Sequence, residues 1–248
     1  MRYLVISDLH SNLEALQAVL AATDGEYEQV ICCGDLVGYG PDPDPIVDWV
    51  RQNAKIVVRG NHDKVCAGVS DAEEFNESAR RAAYWTRGHL KPENLQYLKD
   101  LPKGPLDVNG RFAILHGSPR DEDEYVSTTW EATDSFALLY HAVTFFGHTH
   151  LQGGFFRTQR GGVEVVSPPV AKLKTRRLME LLAGEIYFIN PGSVGQPRDR
   201  DNRAAYAIYD TVGFVEYGRA SYELQTTIRK MQEAGLPEFL AHRLSVGR

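Results

Sequence analysis

The chain has 248 residues, enough to bury a substantial core, and its 43% hydrophobic and 24% charged residues are those of an ordinary globular protein. The net charge of −6 argues against a long nucleic acid held through its backbone, which calls for a basic face, but not against a phosphate held through metal ions. No apolar run reaches the length of a membrane span, Asp8 breaks the opening run too soon for a signal segment, and Cys32, Cys33 and Cys66 form no disulfide pattern, so a reducing cytoplasm is expected.

In chain order, Tyr3 to Ser7 reads as a buried strand. Ser11-Asn12-Leu13-Glu14 reads as a capping box opening an amphipathic helix with Leu13, Leu16, Ala18, Leu20 and Ala21. Gln29 to Cys33 is a second strand, ending at Gly34-Asp35. Pro43 and Pro45 start a helix carrying Ile46, Val47, Trp49 and Val50, and Lys55 to Val58 is a third strand. This alternation predicts a parallel sheet with helices on both faces. Residues 71–101 are helical in pattern and read as an insertion or cap, about 70–102, within a single domain spanning 1–248. Strands are then expected at Phe112–Leu115, Val143–Phe146, Gly154–Thr158, Val163–Val166 and Tyr187–Ile189. A hairpin around Asp210-Thr211 joins Ala204–Tyr209 to Val212–Tyr217, and helices follow at Tyr222–Glu233 and to about Leu244.

The chemistry collects after the strands. Asp8 and His10, Asp35, Asn61, His62 and Asp63, His116, and His148 and His150 all follow predicted strand ends, where α/β sheets bind ligands. Singly, these fragments have bland readings. Asp8 could serve a helix N-terminus, Gly34-Asp35 an ordinary turn, and Gly60-Asn-His-Asp63 an Asx turn. In Gly147-His-Thr-His150, two imidazoles two residues apart in extended chain would point the same way. His89, His141 and His242 sit in helical or connecting sequence and read as surface or core histidines. Core packing gives no reason for the whole set to converge on one edge, so the conjunction carries the functional reading.

Mixed carboxylate and imidazole donors without thiolate suit two divalent transition-metal ions, with Mn favoured and Fe, Zn, Co or Ni as alternatives. Asp8, His10 and His150 would hold one ion, Asn61, His116 and His148 the other, and Asp35 would bridge them. Such a pair, about 3.5–4 Å apart, generates hydroxide at neutral pH and clamps an in-line displacement at phosphorus. His62 adjoins Asn61, falls outside both ligand sets, and is the natural general acid for the leaving oxygen.

Taken in order, Asp8-Leu-His10, Gly34-Asp35, Gly60-Asn-His-Asp63, His116-Gly117 and Gly147-His-Thr-His150 resemble the calcineurin-like metallophosphoesterase superfamily. Gly34-Asp-Leu-Val-Gly-Tyr-Gly-Pro41, Leu115-His-Gly-Ser-Pro119 and Asn190-Pro-Gly-Ser-Val194 are similar to its small prokaryotic members. The resemblance implies an α/β, two-sheet β-sandwich flanked by helices, a dinuclear site and phosphoester hydrolysis. It agrees with the ligand sets and with the acid role of His62. The protein phosphatases of the superfamily carry an aspartate where Gly38 stands, orienting the acid histidine, and a phosphate-binding arginine where Tyr39 stands. That departure disfavours a protein substrate and leaves Asp63 to orient His62 or to serve as a turn carboxylate.

The favoured substrate is a phosphodiester in a small molecule or nucleotide, such as a cyclic nucleotide or dinucleotide. A phosphomonoester, a non-catalytic scaffold and a DNA nuclease are the alternatives. Tyr39 and Arg198 are candidate substrate contacts. The run Lys172, Lys174, Arg176 and Arg177 reads as a solvated face, with a distal phosphate site as its functional alternative. Arg203 reads as a surface ion pair, with reach to phosphate as its alternative, and Phe75, Tyr84 and Trp85 as a helical core, with stacking on a base as theirs. The C-terminal helix with Leu236, Phe239, Leu240 and Leu244 offers a surface for a homo-oligomer.

Overall fold

The computed structural model describes residues 1–166 and 174–248. Two six-stranded mixed sheets stack as a sandwich with helices on the outside. The first sheet runs β3 (Ala54–Val57), β2 (Gln29–Cys32), β1 (Arg2–Ile6), β11 (Ala204–Asp210), β12 (Phe214–Ala220), β9 (Arg176–Glu180). The second runs β4 (Leu106–Val108), β5 (Phe112–Ile114), β6 (Val143–Phe145), β10 (Ile186–Asn190), β7 (Gly153–Arg157), β8 (Val163–Val165). In the first, β1, β2 and β3 are parallel and β11 turns the direction. In the second, β5, β6 and β10 are parallel.

Side-chain alternation along the strands divides the core. Leu4 and Ile6 of β1 join Leu16 and Val19 of α1 (Leu13–Ala22) and Ile46 and Val47 of α2 (Pro43–Asn53). Tyr3 and Val5 point the other way and meet Phe112, Ile114, Phe145 and Ile189 of the second sheet. Each such side chain contributes about 1.5–3 kcal/mol by burial. The expectation of helices on both faces of the parallel strands is therefore corrected: helices cover one face and a sheet covers the other. A strand buried on both faces is uniformly apolar whatever covers it. On the outer face of the second sheet, α6 (Thr129–Phe136) packs Ala132 and Phe136 against Phe146, Phe155 and Phe188.

α3 (Asn61–Cys66), α4 (Glu77–His89) and α5 (Pro92–Asp100) add Val65, Cys66, Ala83 and Leu98 to the core that α1 and α2 form on the first sheet, and α4 and α5 occupy the expected helical stretch. α7 (Leu224–Glu233) and α8 (Glu238–Val246) pack together and, through Met231, Leu240 and Leu244, against Tyr39. Several local expectations change. Asn12, not Ser11, caps α1, its side chain accepting from Ala15 N at 3.1 Å, and Ser11 lies in the left-handed region. The hairpin pairs Asp210 with Phe214, so its turn is 211–213 rather than Asp210-Thr211. In the basic run, Lys172 lies outside the described residues, and Arg176 and Arg177 belong to strand β9. Arg176 Nη2 pairs with Glu26 Oε1 at 2.7 Å. Arg203 Nε pairs with Asp201 at 2.9 Å.

Candidate metal centre

The parallel strands of both sheets end at one edge of the sandwich, and the loops that follow them are laced together there. Asp8 N donates to Gly34 O (2.9 Å), His10 N to Asp35 O (3.1 Å) and Ser11 N to Leu36 O (3.0 Å). Asp63 completes this tie. Its carboxylate accepts from the amides of Asp35, Leu36, Val37 and Gly60 at 2.8–3.2 Å. Burial and Asp35 push the Asp63 carboxyl up, and the amides pull against them. Of the two roles left open for Asp63, the structure shows the turn carboxylate.

Asp8, His10, Asp35, His148 and His150 all have φ between 45° and 63°. Left-handed backbone in non-glycine residues costs on the order of 1–3 kcal/mol each and collects at functional sites. The cost is sustained by surrounding bonds: Ser193 Oγ and Gly195 N hold Asp8 O at 2.8 and 2.9 Å, and Asn190 Nδ2 holds Gly147 O and Thr149 Oγ1 at 2.7 and 3.0 Å. Gly147 has no room for a side chain, since a Cβ there would lie 2.0 Å from Ser7 Oγ. His148 and His150 are thus not in extended chain, and their rings diverge into different clusters.

Two buried groups of donors result, sharing Asp35. Asp8, His10, Asp35 and His150 bring ligand atoms within 4.8 Å of one another, and so do Asp35, His116 and His148. In the first group, His10 Nε2 faces His150 Nε2 at 3.1 Å and Asp35 Oδ2 at 3.6 Å, and His150 Nε2 lies 3.4 Å from Asp8 Oδ1. In the second, His116 Nε2 lies 3.2 Å from Asn61 Oδ1 and 3.4 Å from Asp35 Oδ2. Asp8 Oδ2 and Asp35 Oδ2 are buried and meet no hydrogen-bond partner among the described residues.

The far ring nitrogens fix the tautomers. His10 Nδ1 donates to Val37 O (3.1 Å), His150 Nδ1 to Gln196 O (2.6 Å) and His116 Nδ1 to Cys33 O (2.7 Å). His148 uses the opposite nitrogen, with Nε2 donating to Asp123 O at 3.0 Å. Burial holds His10 and His150 well below the ordinary 6.5, so both are neutral and their Nε2 lone pairs face each other. That contact repels unless a cation lies between them. Burial likewise pushes His148 down to about 3 and raises Asp8 to about 7. His116 behaves differently. Burial opposes its charge, yet the Asp35 carboxylate overrides it and lifts the imidazole to about 10, so without metal a proton supplies the positive charge. The donor set fits a pair of divalent cations.

His62 donates its backbone N–H to Asp35 Oδ1 at 2.8 Å, while its ring lies among Tyr39, Phe75 and His10, 4.3, 4.5 and 4.9 Å away. Burial pushes it down to about 4, and its Nδ1 has no partner among the described residues. Gly38, at φ +89°, passes so close that a Cβ would lie 2.5 Å from that Nδ1, so an orienting side chain has no room there. Tyr39 OH accepts from Arg198 Nη2 at 3.2 Å, and Arg198 Nε is buried without a partner among the described residues. A cavity of about 390 Å³ opens over His62, Asn61 and His148, walled by Tyr39, Phe75 and Tyr125 and by the acidic Asp71, Glu73 and Glu74. Tyr84 is exposed beneath Arg87, and Trp85 stacks on His89, so neither reaches the cavity. The sequence reading missed the carbonyls of Cys33, Val37, Asp123 and Gln196 and the support from Asn190 and Ser193. Only the Asn190-Pro-Gly-Ser-Val194 motif signalled any of these.

A family model for the calcineurin-like phosphoesterase superfamily domain matches residues 1–213. The chain belongs to that superfamily. Among calcineurin-like relatives it is 40% identical to a metallophosphoesterase from Sphaerobacter thermophilus, covering 100% of this chain and 99% of that one with a TM-score of 0.86. It is 35% identical over 248 residues to the uncharacterized protein MJ0912 of Methanocaldococcus jannaschii, 98% of this chain and 97% of that one. The hypothetical protein PH1004 of Pyrococcus horikoshii, 19% identical with a TM-score of 0.78 over 100% of this chain and 98% of that one, shares the fold. Superfamily membership and the buried clusters make the chain a metallophosphoesterase. Among the described residues, no helix is long and apolar enough to cross a membrane.

Proposed function

We propose that the protein hydrolyses a phosphodiester bond in a small molecule or nucleotide. In this reading Asp8, His10 and His150 hold one divalent cation, Asn61, His116 and His148 a second, and Asp35 both. The observation that carries it is the pair of neutral imidazoles facing each other at 3.1 Å beside carboxylate oxygens that have no partner among the described residues. The ions, Mn by preference, would supply Lewis acidity and activate water at neutral pH.

The chain's own groups position and protonate. The Val37, Gln196 and Asp123 carbonyls hold the far nitrogens of the neutral His10, His150 and His148 so that their bare nitrogens aim inward, and the Cys33 carbonyl aims His116, whose inner proton would be displaced on ligation. Arg198 and the Tyr39 hydroxyl meet the phosphate, for which the spare Arg198 Nε is suited. His62 gives its proton to the leaving oxygen; an anionic phosphate beside it favours the charged imidazole that burial alone disfavours. The acidic wall of Asp71, Glu73 and Glu74 favours a singly charged diester over a monoester, which carries about −1.5 to −2 at neutral pH. We read residues 1–248 as one functional unit in which the stretch around 70–102 brings Phe75 and Asn76 over the centre. Buried free thiols at Cys32, Cys33 and Cys66 suit a cytoplasmic location.

The test is metal analysis followed by a Mn-supplemented screen that pairs phosphomonoesters with phosphodiesters, including cyclic nucleotides and dinucleotides. Two ions per chain and turnover of a diester are expected. Full metal occupancy with no turnover across the panel would leave a binding scaffold instead.

A further inference from the structure

A second cavity, on α8 and the turn at Arg200, has the opposite sign to the acidic one. It encloses about 780 Å³ and is lined by Arg200, Phe239, His242, Arg243, Val246 and Arg248. No carboxylate side chain lines it. Of the acids adjacent in sequence, Asp201 is engaged by Arg203 at 2.9 Å and Asp199 by Arg219 through one of its oxygens, while Glu238, next to Phe239, is exposed and does not line the cavity. Arg243 Nε donates to Arg248 O at 2.8 Å, and its guanidinium lies 5.7 Å from the Phe239 ring centroid. The acceptor belongs to residue 248 of the 248-residue sequence, so its terminal carboxylate offsets one of the three guanidinium charges and leaves the cavity net positive. In a chain of net charge −6, this is a local concentration of positive charge.

The basic cavity is coupled to the metal centre through packing. Arg243 rides on α8, whose Leu240 and Leu244 share a core with Tyr39. Tyr39 in turn contacts His10 and His62 and accepts from Arg198. Burial and the charge of Arg198 both depress the Arg243 guanidinium, with Tyr39 and Tyr125 opposing them, as expected of two like charges near each other. Such an arrangement gains when an anion is shared. α8 lies beyond residue 213, where the superfamily match ends, whereas Arg200 lies within it.

We propose that Arg200, Arg243 and Arg248 hold a second phosphate group of the substrate, with Arg198 between it and the scissile phosphate at the metal centre. This rests on the phosphoesterase reading above and narrows it to substrates that carry a further phosphate. The two cavities then orient the ligand: its additional anion is repelled by Asp71, Glu73 and Glu74 and drawn to α8.

Two measurements on the full chain test the proposal. The first compares kcat/KM of the Mn-loaded enzyme for p-nitrophenyl thymidine 5′-phosphate with and without a 3′-phosphate. Wild type should prefer the 3′-phosphorylated ester by at least about tenfold, the factor one charge-assisted hydrogen bond supplies. Arg243→Gln and Arg200→Gln should erase that preference through KM, while Arg243→Lys, keeping the charge, should retain most of it. The second measures inorganic phosphate binding by calorimetry in the presence of EDTA, with a melting curve for each variant to verify folding. Binding should weaken at least about tenfold in the folded Gln variants and with added salt. Folded Gln variants that bind phosphate as wild type does overturn the site. Weakened binding without any change in ester preference overturns its role in the substrate. If neither ester is hydrolysed, the nucleotide-diester reading fails, and the binding arm still decides whether the anion site exists.

Discussion

His62 and Gly38 are the residues at which the proposed acid chemistry is open to test. His62 is buried among three rings, and its Nδ1 lies against Gly38. The His62→Ala variant should keep both metals by elemental analysis yet lose about 10²–10⁴-fold in kcat on esters with poor leaving groups, the usual contribution of a positioned acid. Loss of the metals in that variant would instead make His62 a support of the centre. At Gly38 even an alanine is excluded twice, by φ +89° and by a Cβ 2.5 Å from the His62 ring. We expect Gly38→Ala to cost about 1–3 kcal/mol in denaturant unfolding and to lower kcat together with stability. Asp35 touches both donor groups, so Asp35→Ala should lower metal content as well as turnover. Full occupancy in that variant would sink the bridging assignment.

The strands and loops show where sequence pattern informs and where it stops. Strand ends are readable because Ser7-Asp8, Gly34-Asp35 and Gly60-Asn61 each interrupt an apolar run. What packs on each face is not readable, since Tyr3 and Leu4 are equally apolar although one meets a sheet and the other a helix. The three-residue β4 carries too little pattern to be seen, whereas the Thr128–Glu131 capping box that opens α6 is a signal the sequence does contain. The donors at the centre were legible by residue type, but the carbonyls that set their tautomers were not, because every residue carries one. The left-handed turns at His148 and His150 were equally hidden, for Gly147-His-Thr-His150 has no local reason to leave the extended state. Arg176 shows the same limit: a basic run in sequence became an edge-strand anchor to Glu26. Arg176 holds the Glu26 carboxyl below its ordinary 4.5, so the pair's contribution is complete above that pH and fades as pH falls through the lower folded value. Hydrogen exchange should therefore show faster opening of the β9–β12 ladder under acid, and Glu26→Gln should remove that pH dependence.

At the scale of the molecule, the centre draws Asp8, His10, Asp35 and Asn61 from loops of the first sheet and His116, His148 and His150 from loops of the second. Metal that binds only this assembled state stabilises it by mass action, about 2.7 kcal/mol at a hundredfold excess over Kd. For a chain this size that corresponds to roughly 5–10 °C in Tm. Calorimetry with and without Mn should show the rise in wild type and a smaller one in Asp35→Ala. The same layout has a mechanical consequence. Because the two sheets each supply part of the donor set, ions bound there would act as rivets across the seam. Pulling the chain in a direction that peels one sheet from the other should meet a rupture force that climbs with Mn and drops with EDTA. Shearing within either sheet should feel no such difference.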